Sequence, residues 1–137
     1  MDCIFCKIIS GDIPVKILKE TSQSISFLDA FPLAKGHTLV IPKKHHQKIQ
    51  DMTSEENTDL FLLVREITSK VDSITGATLV AIHNGKDAGQ EIPHVHVHLV
   101  PRDKNDSAGP IHSMFKPSLK LSDSENDEIY EKLKIKF

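Results

Sequence analysis

Three histidines stand at every second position in His94-Val95-His96-Val97-His98-Leu99-Val100. Side chains alternate across an extended strand, so the three imidazoles are predicted to share one face while Val95, Val97 and Leu99 point to the other. One face then belongs to a core and the other to chemistry. Neutral imidazole acts as nucleophile or general base near neutral pH. Residues two apart on a strand lie about 7 Å apart and can converge on one atom, whereas His94 and His98, about 13 Å apart, do not easily ligate one ion. The spacing favours a division of labour, with His96 in the middle as nucleophile or base. Its rivals are a three-histidine metal site and a polar strand face that is histidine-rich without a role. Upstream, the loop Asn84-Gly85-Lys86-Asp87-Ala88-Gly89-Gln90-Glu91 combines glycines with polar side chains. Its glycines let backbone N–H groups approach an anion and Gln90 adds a side-chain donor, which makes it a candidate phosphate cradle. Cys3-x-x-Cys6 supplies half of a tetrahedral zinc site that two imidazoles would complete; a redox dithiol and two plain reduced cysteines are the alternatives.

These residues need a scaffold. Residues 16–28 read as two strands around the polar turn Glu20-Thr21-Ser22-Gln23, His37–Pro42 as a third, Thr78–Ile82 as a fourth, and His94–Val100, between Pro93 and Pro101, as a fifth. The firmest helix spans Ser54–Thr75, because Leu60, Val64, Ile67, Val71 and Ile74 recur at spacings of three and four. Thr53 and Glu56 fit a capping box at its start, and Gly76 suits its end. Residues 103–107 and 122–127 read as surface loops, although 123–134 also fits a short final helix. Strands with short connections and one long helix predict an α+β fold, an antiparallel sheet with the helix packed on it.

The 137 residues, 39% of them hydrophobic, suit a single domain, with a core over about 3–102 and a C-terminal extension over about 103–137. With 17 basic against 19 acidic side chains the chain carries a formal charge of −2, which argues against nucleic-acid polymers as partners. No apolar stretch approaches a membrane span and no secretory signal is seen, so a cytoplasmic protein with no membrane partner is expected, without a disulfide framework.

The motif H-V-H-V-H-L-V after G-Q, with C-I-F-C-K-I-I at 3–9, F-L-D-A-F-P at 27–32 and G-H-T-L-V-I-P-K-K-H at 36–45, resembles the histidine-triad (HIT) family of nucleotide hydrolases and transferases. It is similar to the Hint-like branch, which acts on nucleoside phosphoramidates and adenylates. The resemblance implies that His96 attacks the α-phosphorus to give a nucleotidyl-imidazole, that His98 holds the phosphoryl oxygens together with Gln90 and loop N–H groups, and that water then releases the nucleoside monophosphate. For this His96 must offer one bare nitrogen while the other donates to a carbonyl. Asp29 corresponds to the ribose-binding acid, and Ile4, Phe5, Ile8, Phe27 and Ala30 to the purine slot, with Asn84, Gly89, Gln90 and Glu91 flanking the phosphate. The resemblance also implies a structural zinc on Cys3, Cys6, His45 and His94, no cofactor for the chemical step, and a homodimer. Two positions depart from the pattern: Glu91 stands where a small hydroxyl residue serves the leaving group, and Ala30 where a larger aliphatic meets the base. His37 is placed as a support of the site, and His46, His83 and His112 receive no role. Other classes remain open: dinucleoside polyphosphate hydrolysis, a nucleotide-responsive binding module with little turnover, or a metal-buffering His/Cys protein.

Overall fold

The computed structural model describes residues 2–115 and 119–136. The chain divides into two compact units, Met1–Asp106 and Ser107–Phe137. In the first unit, α1 (Ile4–Ile9) precedes β1 (Ile17–Glu20), β2 (Ser24–Leu28), β3 (Thr38–Pro42), α2 (Ser54–Thr75), β4 (Thr78–Ile82) and β5 (Val97–Pro101). The strands form one antiparallel sheet in the order β1-β2-β3-β5-β4, as an α+β fold requires.

Helix α2 has the predicted bounds. Thr53 accepts from the Glu56 N–H while the Glu56 carboxylate accepts from the Thr53 N–H, and Gly76 closes the helix at φ 90°. Leu60, Leu63, Val64, Ile67 and Val71 pack on Val40, Val95, Val97 and Leu99, one face of the central strands. Each fully buried aliphatic contributes about 1.5–3 kcal/mol relative to exposure. Ile74, assigned to the same stripe, is instead half exposed, because it sits beyond the sheet core and covers Gly36.

The opposite face is not given over wholly to polar chemistry. Helix α1 lays Phe5 and Ile8 over Ile25, Phe27, Leu39 and Ile41 and builds a second core there. The histidine segment also differs from its prediction. Pairing with β3 and β4 begins at Val97, so His94 lies in a bend and His96 in unpaired chain before the strand. The alternation nevertheless persists through this stretch. Val95 donates its N–H to the His46 carbonyl and stays buried with Val97 against α2.

In the second unit, α3 (Asp123–Leu133) begins within the stretch read as a loop at 122–127. Ser122 and Glu125 form a capping box, so the cluster of short polar residues is a helix start rather than a loop. Among the described residues no helix is long and apolar enough to cross a membrane.

Candidate active site and metal centre

On the α1 face, a cleft of about 410 Å³ opens between α1, the hairpin joining β2 to β3, and the histidine segment. Its volume suits a nucleotide-sized ligand. Ile4, Phe5, Ile8, Phe27 and Ala30 line its apolar end, Asp29 stands beside them, and His96, His98, Gly89 and Glu91 line the other end. The residues assigned to base, ribose and phosphate therefore converge, with two exceptions.

Asn84 and Gln90 point away from the cleft into the scaffold. The Asn84 side chain accepts from the Ile49 N–H and donates to Gln50. Gln90 is buried; its Oε1 accepts from the Gly85 N–H and its Nε2 donates to the Gln47 carbonyl. The N–H groups of Ala88, Gly89 and Gln90 are likewise bonded to carbonyls within the loop. The Gln90 side chain, expected as a phosphate donor, holds the loop against the neighbouring chain and does not line the cleft.

The imidazoles are held in opposite tautomers. Nδ1 of His96 lies 2.8 Å from the His94 carbonyl, which can only accept, so Nδ1 carries the proton and Nε2 keeps its lone pair. His98 is set by a longer chain of bonds. The Leu33 N–H donates to Nδ1 of His37, so Nε2 of the neutral His37 carries the proton and donates it to Nδ1 of His98 at 3.0 Å. His98 must then present Nε2–H. Two rings 4.9 Å apart thus offer a nucleophilic lone pair and a hydrogen-bond donor. Burial lowers the basicity of His96, and pushes His98 down to about 4 with help from the neighbouring His96, His37 and His83 rings. Both are therefore neutral at pH 7. Asp29 completes this arrangement: Oδ1 accepts from the Phe31 N–H, and Oδ2 lies 3.5 Å from Nε2 of His37.

Asp29, His37 and His98 are also close enough to bracket a cation. The Leu33 bond argues for a hydrogen-bonded trio instead, because it leaves the proton on the His37 nitrogen that a metal would need bare.

A second cluster behind the cleft unites Cys3, Cys6, His45 and His94, whose donor atoms lie within 4.8 Å of one another and could hold a metal ion. The separations Cys3 Sγ to His94 Nδ1, 3.5 Å, and Cys6 Sγ to His45 Nδ1, 3.4 Å, match the edge of about 3.6 Å for tetrahedral zinc with sulfur and nitrogen ligands. His94 donates Nε2–H to the Pro42 carbonyl at 2.8 Å, which turns a bare Nδ1 toward the sulfurs. The donor set fits zinc.

Sequence reasoning left out two histidines that matter here. His46 donates to the buried Glu56 carboxylate at 2.9 Å and ties the start of α2 to the chain that pairs with Val95. His83 lines the cleft beside His98. A signal for it existed in the pairing of β4 with β5. Ala81 opposes His98, so alternation carries residue 83 to the same face.

Comparison with known proteins agrees with this geometry. The chain is 43% identical over 102 residues to adenosine 5′-monophosphoramidase hnt1 of Schizosaccharomyces pombe, covering 74% of this chain and 75% of that protein. A histidine triad nucleotide-binding protein from Candida albicans superposes with a TM-score of 0.83 at 32% identity, over 96% of this chain and 94% of that one. A zinc-bound histidine triad family protein from Mycobacterium smegmatis gives a TM-score of 0.68 at 35% identity, over 78% and 79% of the two chains. With residues 10–105 matching the HIT domain, this chain belongs to the HIT domain family.

Proposed function

We propose that this chain is a hydrolase of purine nucleotide conjugates, nucleoside 5′-phosphoramidates or adenylates, acting through a nucleotidyl-His96 intermediate. The observation that carries this reading is the pair of opposite tautomers. His96 directs a bare Nε2 toward the cleft, and His98 offers Nε2–H where the phosphoryl oxygens of a bound nucleotide would lie. The base packs among Ile4, Phe5, Ile8, Phe27 and Ala30, and the Asp29 carboxylate takes the ribose hydroxyls. Nε2 of His96 then attacks phosphorus while the donor on His98 meets the growing negative charge. Gln90 and Asn84 serve by fixing the loop that carries Gly89 and Glu91.

Cys3, Cys6, His45 and His94 would hold a structural zinc, with no part in the chemical step. Such an ion ties α1 to the start of the histidine segment, and so sets Phe5, which packs 5.1 Å from the His96 ring. Burial raises the Cys6 thiol, which a bound cation would offset. A reducing, cytoplasmic setting keeps both thiols available. Metal analysis of protein purified without added zinc should give one ion per chain, lost in Cys3→Ser. The chain is also proposed to form a homodimer across α2 and the edge strand β4, where Phe61, Leu62 and Val80 are exposed.

The function is tested by release of AMP from adenosine 5′-phosphoramidate. Wild-type protein should turn it over, and His96→Asn should abolish release while AMP still binds. Full turnover by His96→Asn contradicts the assignment; a wild-type kcat far below 1 s⁻¹ across phosphoramidates, adenylates and dinucleoside polyphosphates favours a binding module.

A further inference from the structure

Three imidazoles, His96, His98 and His83, cluster at the catalytic end of the cleft. The ring of His98 lies 4.9 Å from His96 and 5.5 Å from His83. The first two have their tautomers fixed by neighbours. His83 makes no side-chain hydrogen bond among the described residues, yet it lines the cleft and packs against Gly89, where an added Cβ would stand 3.3 Å from its Cδ2. It is a polar ring held in place by packing with both nitrogens unengaged. Displacement at phosphorus is in line, so the leaving atom departs on the side opposite the nucleophile. With His96 attacking and His98 holding the equatorial oxygens, His83 is the cleft imidazole left without a hydrogen-bonded partner among the described residues, free to meet the leaving group. Gly89 and Glu91 border the cleft at this end and also line the neighbouring cavity with Gln47 and Lys86, which gives the departing group an exit.

We infer that His83 is a catalytic acid of the same reaction, protonating the leaving group as its bond to phosphorus breaks. The inference rests on the hydrolase reading above. In the first step Nε2 of His96 bonds to phosphorus, and the electron pair of the P–N bond passes to the amine. The His83 imidazolium gives that nitrogen its proton, so a neutral amine leaves and His83 becomes neutral. In the second step water attacks phosphorus, the bond to His96 breaks with its pair returning to Nε2, and His83 takes the proton from water. The imidazolium is restored and the nucleoside monophosphate is released. No further reactant is needed. The substrate class follows: leaving groups too basic to depart unprotonated, namely amines, depend on His83, whereas those that leave readily as anions do not.

The test compares two adenosine 5′-phosphate derivatives, an N-alkyl phosphoramidate and a p-nitrophenyl ester. General acid catalysis is worth about 10²–10⁴-fold. His83→Asn is therefore expected to lower kcat/KM for the phosphoramidate about 100-fold and for the ester by less than about threefold, with AMP affinity and melting temperature retained. Equal losses on both substrates, or no loss on the amine, overturn the role. If wild-type protein cleaves neither substrate, the hydrolase reading itself fails and takes this role with it; that result is recorded before any variant is made, so the two failures are distinct. Should His83→Asn not fold, the wild-type rate across amines of rising basicity decides. A shallow dependence supports protonation at departure, and a steep fall with basicity overturns it.

Discussion

His37 should govern catalysis without touching substrate, because it decides which nitrogen of His98 carries the proton. In His37→Ala the 3.0 Å bond to Nδ1 of His98 disappears, and a partly buried acceptor is left unsatisfied. That costs about 1–3 kcal/mol. Without that donor nothing holds Nδ1 of His98 as the acceptor, so the proton is free to move to Nδ1, which turns a bare Nε2 toward the phosphoryl oxygens in place of a donor. Loss of one donor to a developing oxyanion costs about 10²–10³-fold in rate, and since only part of the population switches, kcat is expected to fall about 10- to 100-fold. His37→Gln should restore much of the rate, because its side-chain N–H₂ reaches about as far as the lost Nε2–H. The assay is AMP release under saturating adenosine 5′-phosphoramidate, paired with ¹⁵N spectra that report the His98 tautomer. Unchanged kcat in His37→Ala, or a lowered kcat with His98 still protonated at Nε2, would refute the argument. The bond from the Leu33 N–H is also lost, so AMP affinity must be measured alongside to separate a loosened Asp29 loop from a changed tautomer.

Gln90→Ala should weaken the protein as well as the enzyme: two buried hydrogen bonds at about 1 kcal/mol each predict a stability loss of about 2 kcal/mol by urea titration, with kcat lowered through a displaced loop. Gly36→Val should be more damaging, since Gly36 sits at φ 100° and a Cβ there collides with Ile74; a loss above about 2 kcal/mol is expected, and a variant as stable as wild type would contradict the packing described. Stability should also fall as pH drops from about 6.5 to about 4. Burial lowers His98 to about 4 from an ordinary 6.5, and lowers His37 in the same direction, so in this window the unfolded chain binds protons that the folded chain refuses. The stabilisation is complete above pH 6.5, and melting curves of His98→Gln should show a shallower decline.

The parts of the fold legible in the sequence were those whose signal is local and periodic. Helix α2 declared itself through the Leu60 to Val71 stripe, Thr53, Glu56 and Gly76, and the strands through short apolar runs between turn residues. The facing of His96 and His98 followed from alternation, which survives even where ladder pairing does not begin until Val97. Gln90 was legible as a polar residue in a glycine loop but not as an anchor, because its partners Gly85 and Gln47 are set by three-dimensional closure. His37 and His83 illustrate the same limit. Alternation assigns such a histidine a face, but its role depends on which ring lies across the sheet or the hairpin. The cysteine pair announced half of a metal centre, while the convergence of His45 and His94 rests on the β3 end meeting the histidine bend.

The proposed reaction requires phosphorus to become bonded to one imidazole nitrogen. Rapid quenching of wild-type protein with adenosine 5′-phosphoramidate, followed by peptide mass spectrometry, should find an acid-labile AMP adduct on the peptide carrying His96, formed and consumed within one turnover and missing in His96→Asn. An adduct on another residue, or release of AMP at full rate with no adduct at any time, would contradict it.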